Sequence, residues 1–420
     1  MDNEILIYVK NDEKRIALLE DGELAEYYVE KKDAHRMLGN IYKAKVECVL
    51  SGMQCAFVDI GFDKNAFLYI NDAVNNYDLK KQKINIEFVK KYNTNISDII
   101  KQGQEIIVQV MKEAAGSKGP RVTRNITIPG RYAALIPDQD YIGVSSKIKD
   151  ENIRFHLKSL ADKIKPEGMG IIMRTNSQYC SETEIINDVN VLKNLWDNIK
   201  RNIEKQGVPS CVYEEIDMSL KTVRDFITSD VKRIVVNDRQ EYDKLVEFAN
   251  DLCPMMKNKI QLYNKDYDMF EFYNINSMLL RATARKVWLK SGGYVVVDRA
   301  EALTVFDVNS GKYTGKNSLE ATAVKTNLQA VDEIARQIRL RDIGGIIIID
   351  FIDMTDENNK QLVLSALKKA VQKDRTKTSV VGFTSLGLVE MTRKKTRKEL
   401  ISVISKTCPH CKGTGRLYEE

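Results

Sequence analysis

No stretch of this 420-residue chain is long and apolar enough to suggest a membrane helix. The most apolar run, Gly344 to Ile349, falls far short of the roughly 20 residues a span requires. The N-terminus, MDNEILIYVKNDEK, is acidic at once and lacks the cationic start and long apolar segment of a secretory signal. A cytoplasmic location is the expectation. Cysteine is sparse and odd in number: of seven, Cys48, Cys55, Cys180, Cys211 and Cys253 are scattered. That argues against a disulfide framework. There is no internal repeat and no low-complexity tract. Net charge is small as well, at +6 from 65 basic and 59 acidic residues. It permits a nucleic-acid partner without requiring one, so charge placement matters more than the sum.

What is present is an ordinary globular mixture, 43% hydrophobic and 30% charged, with length for two to four domains. Residues 4–30 read as three short strands joined by turns at Asn11-Asp12 and Asp21-Gly22. Residues 37–128 carry five more β-type segments, the number that suits a small OB-type barrel. A polar, Lys- and Asn-rich insert at 71–103 reads as a long loop between strands. Beyond Pro129-Gly130 the texture becomes α/β. Ser181 to Gln206 is predicted helical, with Ser181 as N-cap and Glu184 closing a capping box. Residues 284–391 alternate strands with two helices, Ser318 to Leu340 and Asn358 to Lys373. The four-isoleucine run before Asp350 predicts a strand buried on both faces.

Five constellations can carry chemistry. In LTVFDVNSG, Asp307 and Asn309 are two residues apart on a strand and leave one face together. Asp350 ends the isoleucine strand at the carboxyl edge where α/β sheets bind ligands, and Asp353 follows. Two such aspartates can hold one Mg²⁺ and leave positions for water and phosphate. Read singly, each also suits a turn or helix cap.

Cys408 and Cys411, in CPHCKGTGR, make half of a zinc knuckle whose glycines let backbone N–H groups turn towards sulfur. Structural zinc takes four ligands, so a second copy of the chain would complete a Cys₄ site across a two-fold axis. A redox pair would instead open a helix after a strand, unlike this Gly-rich tail.

On the barrel, Phe57 and Phe67 lie on adjacent strands with Tyr42, Lys43, Lys45 and Lys118 in the same region. Aromatics stack on unpaired bases and lysines neutralise phosphates, although for either phenylalanine alone a core position is the commoner outcome. Finally, Arg174 and Thr175 end a strand, with Gly130 and Arg131 upstream. Guanidinium, hydroxyl and free backbone N–H groups would suit a phosphate.

The ordered motifs DVNSG, IIIDFIDM, LGLVEMTRKKTR and CPHCKGTGR resemble the ribonuclease E/G family. GNIYKAKV, CAFVDIGFDKNAFLYI and GMGIIMRT extend the similarity to nearly the whole chain. The resemblance implies a multidomain α+β architecture. Its parts would be an RNase H-like subdomain in two pieces (1–36 and 211–280), an S1/OB-fold RNA-binding domain (37–128) and a 5′-sensor domain (129–210). A DNase I-like catalytic domain (281–400) and a zinc-link (401–420) would follow.

It also implies roles. Asp307 and Asp350 match the magnesium ligands, and Asn309 the residue at the scissile phosphate. Cys408 and Cys411 match the shared zinc that joins a homodimer. Phe57, Phe67 and Lys118 match RNA-contacting positions. Gly130, Ala134, Arg174 and Thr175 match the 5′-monophosphate pocket. Lys377 stands where some members place arginine; lysine keeps the charge but loses the bidentate fork. The chain stops nine residues after Cys411, so the expected unit is a dimer without further C-terminal domains.

The implied activity is Mg²⁺-dependent endonucleolytic hydrolysis of single-stranded RNA, favouring 5′-monophosphorylated substrates and leaving 5′-phosphate and 3′-hydroxyl ends. Ribosomal RNA maturation and mRNA decay are the implied roles. His35, His156 and His410 lie away from the catalytic motifs, so none is expected as a base on a 2′-hydroxyl. The competing expectation is a non-catalytic RNA-binding or scaffold protein on the same fold.

Overall fold

The computed structural model describes residues 3–31, 36–74, 95–114, 118–137, 139–226, 231–252, 254–311, 319–411, 413 and 415. The polypeptide divides into two compact units. One comprises residues 1–32, 229–244 and 258–420; the other comprises 33–228 and 245–257.

The first unit holds two sheets. In one, the hairpin strands Asn3–Lys10, Glu13–Glu20 and Glu23–Lys31 run antiparallel. Asn11, Asp21 and Gly22 take positive φ at the tight turns between them. Val231–Val236 then joins the first strand in parallel, and Ile260–Leu262 joins Val231–Val236. Chain segments some 230 positions apart therefore share one sheet, Ile5 facing Ile234 and Leu6 facing Val235.

The other sheet has six strands. Their order is Lys286–Trp288, Tyr294–Arg299, Leu303–Asn309, Gly345–Asp350, Val389–Arg393 and Thr378–Phe383. Helices Leu319–Leu340 and Glu357–Ala370 cover one face, enclosing Phe306, Val308, Ile347, Ile349, Val389 and Met391 in a continuous core. The isoleucine strand is not buried on both faces as predicted. Ile347 and Ile349 are fully buried, but Ile346 is 48% exposed and Ile348 is half-buried. The two helices lie on one side only, so this strand alternates like its neighbours. Its apolar run is a weaker guide to burial than the period of two.

A buried ion network ties the sheet's end. Arg393 donates from Nε to Asp374 and from Nη1 to Asp342, both at 2.6 Å. All three side chains are nearly inaccessible.

The second unit contains the predicted five-stranded barrel. Ile41–Leu50, Cys55–Asp59, Ala66–Tyr69, Arg121–Thr123 and Glu105–Lys112 pair in sequence, and the last closes on the first. Ala44, Val46, Ala56, Val58, Leu68, Val108 and Val122 fill it. Of the insert at 71–103, the ends form short helices Ile70–Ala73 and Ile96–Ile99, while positions 75–94 lie outside the described residues.

A four-stranded sheet follows, with Ala133–Ile136 between Ile128–Pro129 and Gly170–Met173, and Ile142–Val144 at its edge. Helices Glu151–Ile164 and Glu182–Lys205 pack against it. Ser181 and Glu184 form the predicted capping box at the start of the second helix.

Candidate active site

The strand Leu303–Asn309 alternates strictly. Phe306 and Val308 enter the core, so Asp307 and Asn309 leave by the uncovered face. The next strand does the same: Ile347 and Ile349 go in, and Asp350 comes out. The two strands are parallel, and their register sets Asp307 directly beside Asp350. Asn309 Nδ2 donates to Asp307 Oδ2 at 2.9 Å, which fixes both side chains.

The chain can leave the strand so abruptly because of Gly311. Its φ is +59°, and a Cβ there would stand 2.5 Å from the Gly292 carbonyl oxygen. Only glycine fits that close approach of two turns.

Burial first, then the negative charges of Asp307 and Asp353, hold the Asp350 carboxyl above the usual aspartate range. Such a pair can accept a cation, since like charges that disfavour ionisation become ligands once a metal neutralises them. The donors are hard oxygens, as Mg²⁺ prefers. Among the described residues no three His, Cys, Asp or Glu side chains gather into one cluster. The two carboxylates would therefore leave most positions on a magnesium to water and substrate oxygens.

Sequence reading missed the residue that steadies this edge. Asn327, fully buried in the long helix, donates from Nδ2 to the Ile352 carbonyl at 2.8 Å and accepts from the Ile352 N–H at 3.0 Å. That clamp grips the backbone between Asp350 and Asp353. An amide within the helix's buried stripe, beside Ala323 and Ala330, was its available signal.

In the barrel, Phe57 and Phe67 are register partners whose rings meet edge to face with centroids 6.0 Å apart. Their neighbours Ala56, Val58, Ala66 and Leu68 take the interior, leaving both rings half-exposed on the outer surface. The core position that was the commoner expectation for each is thereby overturned. Tyr42 is the opposite case. It is 3% exposed and packs inside against Phe62, so it does not belong to this surface. Lys43 is engaged by the Gln206 carbonyl at 3.1 Å, whereas Lys45 and Lys118 are exposed.

The predicted phosphate pocket is built differently from expectation. The N–H groups of Arg131, Tyr132 and Ala133 are not free, because all three donate to Asp188 at 2.8–3.1 Å. Asp188 reaches them from the buried side of the helix Glu182–Lys205, a carboxylate on an apolar stripe that the sequence offered as a signal. Gly130 lies under it; a Cβ there would stand 2.6 Å from Asp188 Oδ2. Ala134 is held in the middle of its sheet, between Pro129 and Ile172.

The Arg174 guanidinium is engaged as well. It donates to the Gly130 carbonyl and pairs with Asp225 at 2.8 Å. Thr175 Oγ1 lies 3.0 Å from Ser145 Oγ. Lys377 is exposed and belongs to the first unit, whereas these residues belong to the second. His156 sits beside Glu182 at 3.2 Å, and His35 lies outside the described residues.

Cys408 is exposed and Cys411 partly buried, and neither is in a disulfide. The backbone N–H groups of Gly415 and Gly413, followed by Cys408, pull the Cys411 thiol below its usual range. Both glycines take positive φ, the conformation that turns their amides towards sulfur.

Comparison with known proteins places these features in a wider group. The Ribonuclease E/G family matches residues 127–396. Ribonuclease G of Escherichia coli (strain K12) is 40% identical over 415 residues, covering 99% of this chain and 84% of that protein. Ribonuclease G of Haemophilus influenzae is 40% identical over 414 residues, with the same coverage. Ribonuclease E of Buchnera aphidicola subsp. Schizaphis graminum is 35% identical over 417 residues, 98% of this chain and 42% of that protein.

Proposed function

Because the chain belongs to the ribonuclease E/G family and is an endoribonuclease, we propose that it hydrolyses single-stranded RNA with magnesium held by Asp307 and Asp350. The observation that carries this reading is the side-by-side register of those two carboxylates, with Asn309 bonded to one of them. Family membership as an enzyme sets aside the non-catalytic scaffold.

Bound magnesium would polarise the scissile phosphate and lower the pKa of a coordinated water. Asp307 and Asp350 supply the carboxylates. Asn309 spends one N–H on Asp307 and has the other to donate to a phosphate oxygen, which orients the strand. Asn327 keeps the Asp350 edge in place. Cleavage in this reading leaves 5′-phosphate and 3′-hydroxyl ends.

Phe57 and Phe67 stack on unpaired bases while Lys118 meets the backbone, which favours single strands. In this reading Arg174 and Thr175 recognise a 5′-monophosphate. Since Arg174 already pairs with Asp225, the phosphate must compete with that carboxylate. Cys408 and Cys411 bind half of a zinc site shared with a second copy, giving a homodimer. In this reading residues 1–36 and 211–280 form the RNase H-like subdomain, 37–128 the S1 domain, 129–210 the sensor and 281–400 the DNase I-like domain. Residues 401–420 are the zinc-link. The setting is cytoplasmic ribosomal RNA maturation and mRNA decay.

The test is cleavage of a 5′-monophosphorylated single-stranded RNA with and without Mg²⁺. Wild type should cut only with the metal, and Asp307→Asn should lose at least about 100-fold in rate while still binding RNA. Equal cutting by the two proteins at every Mg²⁺ level would end the metal-site reading.

A further inference from the structure

The face that presents Asp307 and Asp350 continues beyond them across two more strands. Trp288 is the register partner of Tyr294, and Tyr294 of Asn309. Two residues along, Lys286 faces Val296, Val296 faces Asp307, and Asp307 faces Asp350. Residues directly opposite in adjacent strands share a face. Trp288, Tyr294 and Asn309 therefore form one row on the surface, and Lys286, Asp307 and Asp350 lie in the next. With strands roughly 4.8 Å apart, Trp288 stands about 10 Å from Asn309.

Trp288 is 64% exposed, so it adds little to the core. Tyr294 meets it edge to face, with centroids 5.5 Å apart. The Lys286 ammonium lies 4.2 Å from the Trp288 ring centroid and 3.5 Å from that of Tyr294. Arg285 adds a second cation beside the same strand, paired with Asp298 at 2.5 Å. An exposed indole braced by a tyrosine and a lysine offers a π-face next to positive charge. That combination suits a base and its phosphate.

We propose that Trp288, with Tyr294 and Lys286, forms a base-stacking subsite that positions the nucleotide beside the scissile phosphate. This rests on the nuclease reading of Asp307 and Asp350. The base stacks on the indole, Lys286 meets the flanking phosphate, and Asn309 receives the next phosphate along the row. Trp288 is a positioning residue that selects which linkage enters the site. The surface of the barrel grips the strand elsewhere.

The chain has two tryptophans, and Trp196 is buried at 5% exposure. In a Trp196→Phe background, indole fluorescence reports Trp288 alone. A single-stranded RNA carrying 2′-O-methyl riboses, added without magnesium, should quench that signal. In the cleavage assay, Trp288→Ala should raise KM on the order of 10-fold and redistribute the cut sites, and Trp288→Phe should restore both.

If wild type cuts with Mg²⁺ but RNA leaves Trp288 fluorescence unchanged, and Trp288→Ala cuts the same sites with the same KM, the subsite is overturned and the nuclease reading stands. If RNA quenches Trp288 but wild type never cuts, the nuclease reading fails, and the assignment of this subsite to a scissile phosphate fails with it.

Discussion

Asp350 faces Asp307 across the parallel register, and burial followed by the Asp307 charge makes the Asp350 carboxylate harder to sustain. A carboxyl whose folded pKa is raised contributes stability below its unfolded pKa of about 3.9, and that contribution is lost as pH rises through the folded value. Without metal, Asp350→Asn should therefore melt higher than wild type at pH 7. The gap should narrow as pH falls towards 4. Mg²⁺ should raise the wild-type Tm and leave the variant's unchanged, because only the intact pair gains from binding. Thermal scans at several pH values, with chelator or with Mg²⁺, give the comparison.

The half-exposed Phe57 and the buried Leu68 separate binding from folding on the same barrel. Phe57→Ala should weaken single-stranded RNA binding on the order of 10-fold, from the loss of one stacking platform. Its effect on stability should be small. Leu68→Ala should instead cost about 2–5 kcal/mol, as a large-to-small change in a filled core. Titration with RNA and denaturant unfolding read the two effects separately.

Asp188 accepts hydrogen bonds from three consecutive amides in a buried site, and its loss would remove all three. Asp188→Ala should cost about 3 kcal/mol. Gly130→Ala should also destabilise, by driving a methyl group against the Asp188 carboxylate. Both variants should cut 5′-hydroxyl and 5′-monophosphorylated RNA at more nearly equal rates than wild type does.

Arg393 holds Asp342 and Asp374 in a region with almost no access to water. Arg393→Ala should cost about 3–5 kcal/mol, because two carboxylates would remain buried without their shared cation. Equilibrium unfolding in urea would show it as a lower midpoint with an unchanged slope.

Cys408→Ser should convert a dimer to a monomer in solution and remove half a zinc per chain. Light scattering and metal analysis measure both quantities. A dimer that persists without metal would refute the shared-zinc reading.

Much of this was legible because it rests on local rules. The turns at Asn11 and Asp21, the Ser181–Glu184 capping box and the barrel strands all follow from nearby sequence. Alternation likewise placed Asp307 with Asn309 on one face. Register between strands is a tertiary property, so the meeting of Asp307 with Asp350 could be expected but not located. The same holds for Asp188, whose amide partners lie more than 50 positions upstream. In the isoleucine strand hydrophobicity does not mean two-sided burial, because the helices cover one side alone. Tyr42 is the converse, since an aromatic beside lysines can still turn into a barrel.

The pairing of Asn3–Lys10 with Val231–Val236 also bears on how the chain acquires its fold. Ile7 must find Val236 across a loop of more than 200 residues. Closing so long a loop from an unstructured chain is entropically costly and slow. The cost falls if the intervening barrel and its companion sheet collapse first and shorten the search. During synthesis the N-terminal hairpin emerges with one edge unpaired and stays so until residue 236 has left the ribosome. An open strand edge is prone to pair with other chains during that interval, and substitutions that destabilise the barrel should lower soluble yield by prolonging it.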